Sequence, residues 1–427
     1  MSKTPTNDDD DMDAPPNGGF GAAPHERPVP RISIESFPEF PDTSAALERA
    51  ATDRRLSKAH LGVQSGGIQG AVKFFSENPT PNLVIVETAG EGQTVLGELE
   101  QLANVCDEST KVIVIGRQND VQLYRELIRR GVSEYLVAPL EPLHVIETIS
   151  NLYVNPKAPP IGRVIAFAGA RGGAGASTIA HNVGWHIAEQ LRIDTAIMDF
   201  DLAFGTAGLN FNEDPGQGIA DALASPERLD DVLLDRLLIK CGEHLSLFAA
   251  PALLDRDYEV EATAYETVVD QVRNSVPCVI VDLPHAWTSW ARQTLGAADE
   301  IVVVATPDLA SLRNTKNMLD VLKARRTNDA PPKLVVNQVG IPKRPEIPVK
   351  EFATAVGMDP CLVLPFDPQL FGTAGNNGQM LAEVQPNARV SEGMRMLAEL
   401  VTGRTVSQTG KKSGKAFLPF LSNRKAS

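Results

Sequence analysis

Residues 164–178, VIAFAGARGGAGAST, constrain this chain more than any other stretch. The apolar run reads as a strand buried on both faces, which places it inside a parallel sheet. Gly172, Gly173 and Gly175 let the backbone that follows take positive φ and come close to an anion. Successive N–H groups, with the N-terminus of a helix starting near Ser177, then converge as an anion nest. Ala174 and Ala176 sit between the glycines, and Thr178 follows Ser177. Such a loop normally carries a lysine at the position of Ala176. The glycines imply a nucleotide phosphate, and the alanine weakens the case for ordinary catalysis.

A glycine cluster alone is equally an ordinary turn after a strand; three downstream segments shift the reading. Residues 195–202 (TAIMDFDL) form an apolar strand ending in Asp199 and Asp201, whose alternate spacing points both carboxylates the same way. Residues 278–282 (CVIVD) form a second buried strand ending in Asp282, an acidic position suited to Mg²⁺, with the Ser177 hydroxyl as its partner. Residues 300–306 and 333–337 add two more buried strands, the latter closing on Asn337.

The 427 residues are long for one core and point to two or three domains. A net charge of −14 argues against coating nucleic acid by charge. Four dispersed cysteines with no CxxC pair fit reduced thiols and disfavour zinc. With no membrane-length apolar run and no leader pattern, the expectation is a cytoplasmic protein. Residues 1–30 read as a disordered acidic, Pro-rich tail, because they lack the apolar surface to offset chain entropy. Residues 31–154 alternate five strand-like with five helix-like pieces, 155–161 form a Pro-rich linker, 162–404 hold the glycine loop, and 405–427 form a basic tail.

The first domain resembles a response-regulator receiver, a flavodoxin-type parallel sheet. The positions that would carry phosphotransfer are Glu87, Gly116 and Ala138, where a receiver has Asp, Ser/Thr and Lys, and only Glu35 stands near its acidic pair. A shape retained without its chemistry is expected, with Glu87 a solvated carboxylate at a strand end.

The ordered set from 162 to 404 resembles the MinD/ParA class of deviant-Walker P-loop ATPases, with a mostly parallel sheet. The receiver-like domain, the loop GARGGAGAST and the helix sequence IAHNVGWHIA together resemble the CpaE/TadZ group of Tad (Flp) pilus-assembly proteins. The resemblance implies ATP and Mg²⁺ as ligands. Arg171 takes the place of the signature lysine that reaches across a homodimer. Asp201 takes the water-positioning role with Asp199 beside it, and Asp282 supports Mg²⁺. Asn337 reads adenine, and backbone near Pro365 flanks the base. Losing the charge at Ala176 costs on the order of 2–5 kcal/mol of phosphate interaction, so slow or absent hydrolysis is expected.

Implied partners are a second copy and components of a Tad pilus secretion system, with no specific nucleic acid. A DNA-partition ATPase and a nucleotide-free scaffold with a vestigial site are the alternatives. Tail residues 411–425 mix five basic side chains with Phe417, Leu418, Phe420 and Leu421, a composition that suits weak contact with an anionic membrane. Trp287 and Trp290 read either as helix core or as a partner surface, and the stripe Val390, Met394, Leu397 and Val401 reads as core.

Overall fold

The computed structural model describes residues 29–90, 92–153, 161–214, 217–251 and 258–405. Apart from a residue or two at their edges, the expected tails and linker lie outside the described residues.

The first half builds on the alternation of side chains across an extended chain. Strand β3 (Leu83–Glu87) is buried at all five positions. Leu83 and Ile85 join one apolar cluster and Val84 and Val86 the other, so both faces must be covered. Helices Pro41–Ala51 and Pro142–Tyr153 cover the first face; Gly67–Phe75, Gln93–Ala103 and Val121–Arg129 cover the second. With β1 (Ser33–Phe37), β2 (His60–Val63), β4 (Lys111–Gly116) and β5 (Glu134–Val137), the sheet runs β2-β1-β3-β4-β5, parallel throughout. This is the receiver-like architecture expected from the sequence.

The second half is an eight-stranded sheet. Its strands are β6 (Arg163–Gly169), β7 (Thr195–Asp199), β8 (Ile239–Lys240), β9 (Leu245–Phe248), β10 (Cys278–Asp282), β11 (Glu300–Ala305), β12 (Lys333–Val339) and β13 (Leu362–Pro365). Their order is β13-β12-β11-β6-β10-β7-β9-β8, parallel except for β8 against β9. Helices Ala176–Glu189 and Arg389–Thr402 pack on one face, the latter through Val390, Met394, Leu397 and Val401. Ala262–Ser275, Ser289–Ala297 and Leu309–Arg325 cover the other. Central β6 lies between β10 and β11, so the glycine loop leaves the sheet's carboxyl edge where open α/β folds form their binding crevice.

The two halves meet at the opposite edge. Arg54, in a short turn before β2, bonds Asp299 (3.0 Å) and Asp329 (2.8 Å). Arg55 pairs with Asp53 (2.9 Å) and Asp329, Lys58 with Asp270, and Asn328 donates to Asp53 (2.9 Å). Asp299 also accepts from Arg273 at 3.0 Å and from the Val164 amide at 2.8 Å. This dock is absent from the sequence reading, because isolated Arg and Asp residues look like ordinary solvated charges.

Candidate functional site

The loop after β6 is shaped by two glycines. Gly173 and Gly175 take φ of 75° and 89°, where a Cβ would clash with the neighbouring carbonyl. Gly172 was expected to share this conformation and does not, since its φ is outside the left-handed region; it is exposed beside His285. At Gly175 space is short as well: a Cβ would sit 2.5 Å from Asn337 Nδ2.

Three side-chain amides fasten the loop through its carbonyls. Asn314 Nδ2 donates to Ala170 O (2.8 Å), Gln338 Nε2 to Gly173 O (2.8 Å), and Asn337 Nδ2 to Ala174 O (2.9 Å). With the carbonyls held, the first-turn N–H groups of Ala176, Ser177 and Thr178, which no helix can satisfy internally, remain for an anion. The helix itself starts at Ala176 with Gly175 as its N-cap. Ala176 is 9% exposed and belongs to the apolar cluster, so its side chain adds packing and no charge.

Beside the loop, β7 and β10 end in register, Asp199 opposite Asp282. Both carboxylates are buried, and His181 comes down onto them from the helix Ala176–Glu189. His181 Nε2 lies 3.3 Å from Asp282 Oδ2. Burial first, and the Asp282 carboxylate second, push the Asp199 carboxyl up to about 7, against the opposing pull of His181 and of backbone N–H donors from Ala207 and Asp201. Both donors lie 3.1 Å from its oxygens. Among the described residues, His181, Asp199 and Asp282 offer ligand atoms all within 4.8 Å of one another. His181 was missed in the sequence, although it stands four residues after Ser177 on one helix face, a spacing that could have found it.

Asp199 and Asp201 do not act as a pair. The half-buried Asp201 turns away into the following bend, where its Oδ1 accepts from the Phe204 amide at 3.0 Å. Arg171 is exposed, but its Nη1 is tied to Asp308 Oδ2 of the same chain at 3.0 Å. On the far side, Gly175, Thr178, Asn337, Pro365, Phe366 and Phe371 line a cavity of about 190 Å³. The residues expected at the base, Asn337 and Pro365, do converge there, while the two phenylalanines went unnoticed. Trp290 stacks on Tyr265 (4.0 Å between centroids, 3° between planes) and packs, half-buried, against the core; Trp287 is 43% exposed.

The residues fit a Mg²⁺-nucleotide in three respects: a loop strung on its carbonyls, a buried Asp282 Oδ1 with no hydrogen-bond partner, and a base-sized cavity. They fall short at Ala176, where no cation meets the phosphates.

In the receiver-like half the carboxyl end of β3 is closed. Glu87 at the end of β3 is fully buried, which overturns the expectation of a solvated carboxylate. Its Oε2 accepts from the amides of Glu39 (2.8 Å) and Phe40 (2.9 Å), its Oε1 from the Thr43 hydroxyl (2.7 Å), and Arg117 lies 3.6 Å away. One methylene longer than aspartate, the side chain reaches the loop after β1 and binds it.

No family model matches the chain. It is 50% identical to the pilus assembly protein CpaE of Caulobacter crescentus, a match that covers 30% of this chain, in its N-terminal part, and 98% of that one, with a TM-score of 0.30. The identity over the shared stretch assigns the family. The chain belongs to the CpaE family. This CpaE-family chain is also 25% identical to the septum site-determining protein MinD of Synechocystis over 192 residues, 44% of its own length and 67% of that protein's. A ParA family ATPase from Chlorobium tepidum is 24% identical with a TM-score of 0.50, over 56% of this chain and 98% of that one, and shares the MinD/ParA fold. Among the described residues, no helix is long and apolar enough to cross a membrane.

Proposed function

We propose that this chain binds ATP with Mg²⁺ and closes as a homodimer that organises assembly of a Tad-type pilus, hydrolysing ATP slowly or not at all. The observation that carries this reading is the glycine loop, fastened by Asn314, Asn337 and Gln338 beside the buried Asp282, with alanine at 176. The loop amides and Ser177 would hold phosphate, Asp282 the metal's shell, and the cavity at Asn337 and Pro365 the base. Bound Mg²⁺ would supply the neutralising charge that Ala176 does not.

Dimer closure is supported by exposed apolar side chains around the same edge of the sheet: Phe204 and Leu209 after β7, Trp287 after β10 and Phe366 after β13. Arg171 in this reading exchanges Asp308 for the partner's nucleotide. The pilus role follows the CpaE relative and its likeness to the receiver-like half. Tail residues 411–425, outside the described residues, would add weak contact with an anionic membrane.

Sedimentation of the full chain with Mg²⁺ and ATP, ADP or no nucleotide tests the reading, together with steady-state phosphate release. An ATP-specific dimer with little turnover supports it. Absence of ATP binding at millimolar concentration, or turnover as fast as that of lysine-bearing relatives, rejects it.

A further inference from the structure

The buried group behind the phosphate loop contains more ligand chemistry than a nucleotide-bound Mg²⁺ uses. A Mg²⁺ site in a phosphate-binding loop draws on oxygen, mostly from water and phosphate. Here an imidazole stands with two carboxylates, all three side chains nearly inaccessible, their ligand atoms within 4.8 Å of one another. His181 Nε2 and Asp282 Oδ1 are both buried and make no hydrogen bond. Leaving two such polar atoms unsatisfied side by side is costly unless something binds between them.

The remaining valences are already occupied in a way that orients the group. Asp199 is held by the Asp201 and Ala207 amides, one to each oxygen, which leaves further lone pairs on both. Asn210 Nδ2 sits 2.8 Å from His181 Nδ1. That nitrogen donates to Nδ1 and puts the ring proton on Nε2; turned over so that its oxygen faces Nδ1, the same amide would leave the Nε2 lone pair toward the carboxylates, as the outer partner of a metal-bound histidine does. The side chains come from three separate elements: the helix Ala176–Glu189, β7 and β10. Their meeting is therefore a product of the fold and not of one helix end.

We infer that His181, Asp199 and Asp282 form a protein-only site for a divalent first-row transition ion, one that fills without nucleotide. One nitrogen with two carboxylates favours Mn²⁺, Co²⁺ or Zn²⁺ over Mg²⁺, because imidazole is a poor ligand for the harder ion. Three protein ligands leave coordination positions open to water or to a phosphate oxygen. The site shares Asp282 with the ATP reading but does not depend on it.

The test uses the full chain, stripped with chelator and titrated with Co²⁺ in the absence of nucleotide. One Co²⁺ per chain, with visible d–d absorption and nitrogen hyperfine coupling from one imidazole, is the expected result. Mg²⁺ in tenfold excess should not displace it, and His181→Gln should bind Co²⁺ at least tenfold more weakly. Failure of the wild-type chain to bind Co²⁺, binding without nitrogen coupling, or an unchanged affinity in a folded His181→Gln chain overturns the inference. If that variant does not fold by circular dichroism, the wild-type nitrogen coupling decides. A parallel Mg²⁺-ATP titration separates the two readings: ATP binding without Co²⁺ binding rejects only this site, and the reverse rejects only the nucleotide.

Discussion

Thr43 donates a 2.7 Å hydrogen bond to Glu87 inside the fold of the receiver-like half, and the loop amides of Glu39 and Phe40 complete the carboxylate's shell. The carboxylate occupies the place where a receiver would accept phosphate, and it is already bonded to the loop after β1 and the first turn of the helix Pro41–Ala51. Incubation with acetyl phosphate and Mg²⁺ should leave the intact mass of the chain unchanged. Thr43→Val removes one charge-assisted bond and should cost about 1.5–3 kcal/mol in urea unfolding. Glu87→Ala strands two amides as well and should cost more than Thr43→Val.

Arg54 and Asp299 hold the two halves together in a shared, nearly dry network. Removing one member of a buried pair leaves the other charge uncompensated, typically at 3–5 kcal/mol. Part of that loss should be absorbed here, because Asp299 keeps Arg273. Arg54→Met is therefore expected to uncouple the halves, splitting one calorimetric transition into two, while each half retains its own secondary structure by circular dichroism. A single transition, unshifted, would show that the dock contributes nothing to stability.

The fully buried strands were legible in the sequence because an all-apolar run of four residues closed by a carboxylate has few alternatives. LVIVE and CVIVD are both found where their composition put them. The fate of their terminal carboxylates was not legible. Glu87 and Asp282 end similar runs, yet one is satisfied by three donors and the other keeps an unpartnered oxygen, a difference made by elements remote in the chain. Gly172 shows the same limit, since residue type permits positive φ without requiring it. The Arg54 dock is invisible for a related reason: burial of a charge depends on a partner some 245 residues away.

Arg171 is held by the Asp308 carboxylate at 3.0 Å in the single chain. Asp308 is held below the usual carboxylate range: burial works against ionisation, but hydrogen bonds from Thr306, Ser311 and Arg171 outweigh it. In the proposed dimer Arg171 must leave this anchor. Asp308→Asn should therefore favour the ATP-dependent dimer and Arg171→Ala should abolish it, both read by sedimentation at fixed ATP. The same loss of dimer in both variants would mean that the ion pair serves only to shape the loop.

Ala176→Lys restores the charge absent from the loop. A desolvated cation at the phosphates is worth on the order of 2–5 kcal/mol, so ATP affinity should rise at least tenfold and phosphate release should become measurable. The native side chain packs in an apolar cluster, and the lysine stem must follow the loop outward to avoid it. Unchanged affinity in a folded variant would mean that the missing lysine is not what limits this site.

His186 gives the ATPase-like half a pH limit that is independent of the nucleotide. It is buried in the helix Ala176–Glu189, edge-on to Trp185 at 5.1 Å. Burial is the main cause that lowers its pKa to about 4; Arg395 adds to the lowering, while Gln190 and Glu399 oppose it. The unfolded chain titrates near the ordinary value of about 6.5. Between those values the unfolded state binds a proton that the folded state refuses, so stability rises with pH through this window. Above about 6.5 the penalty vanishes; it grows as pH falls and levels off below about 4, at roughly 3 kcal/mol. His186→Leu removes the titrating group, so urea midpoints measured from pH 7 to pH 4 should fall less steeply than in the wild type. Parallel curves for the two proteins would show that His186 is protonated as readily folded as unfolded.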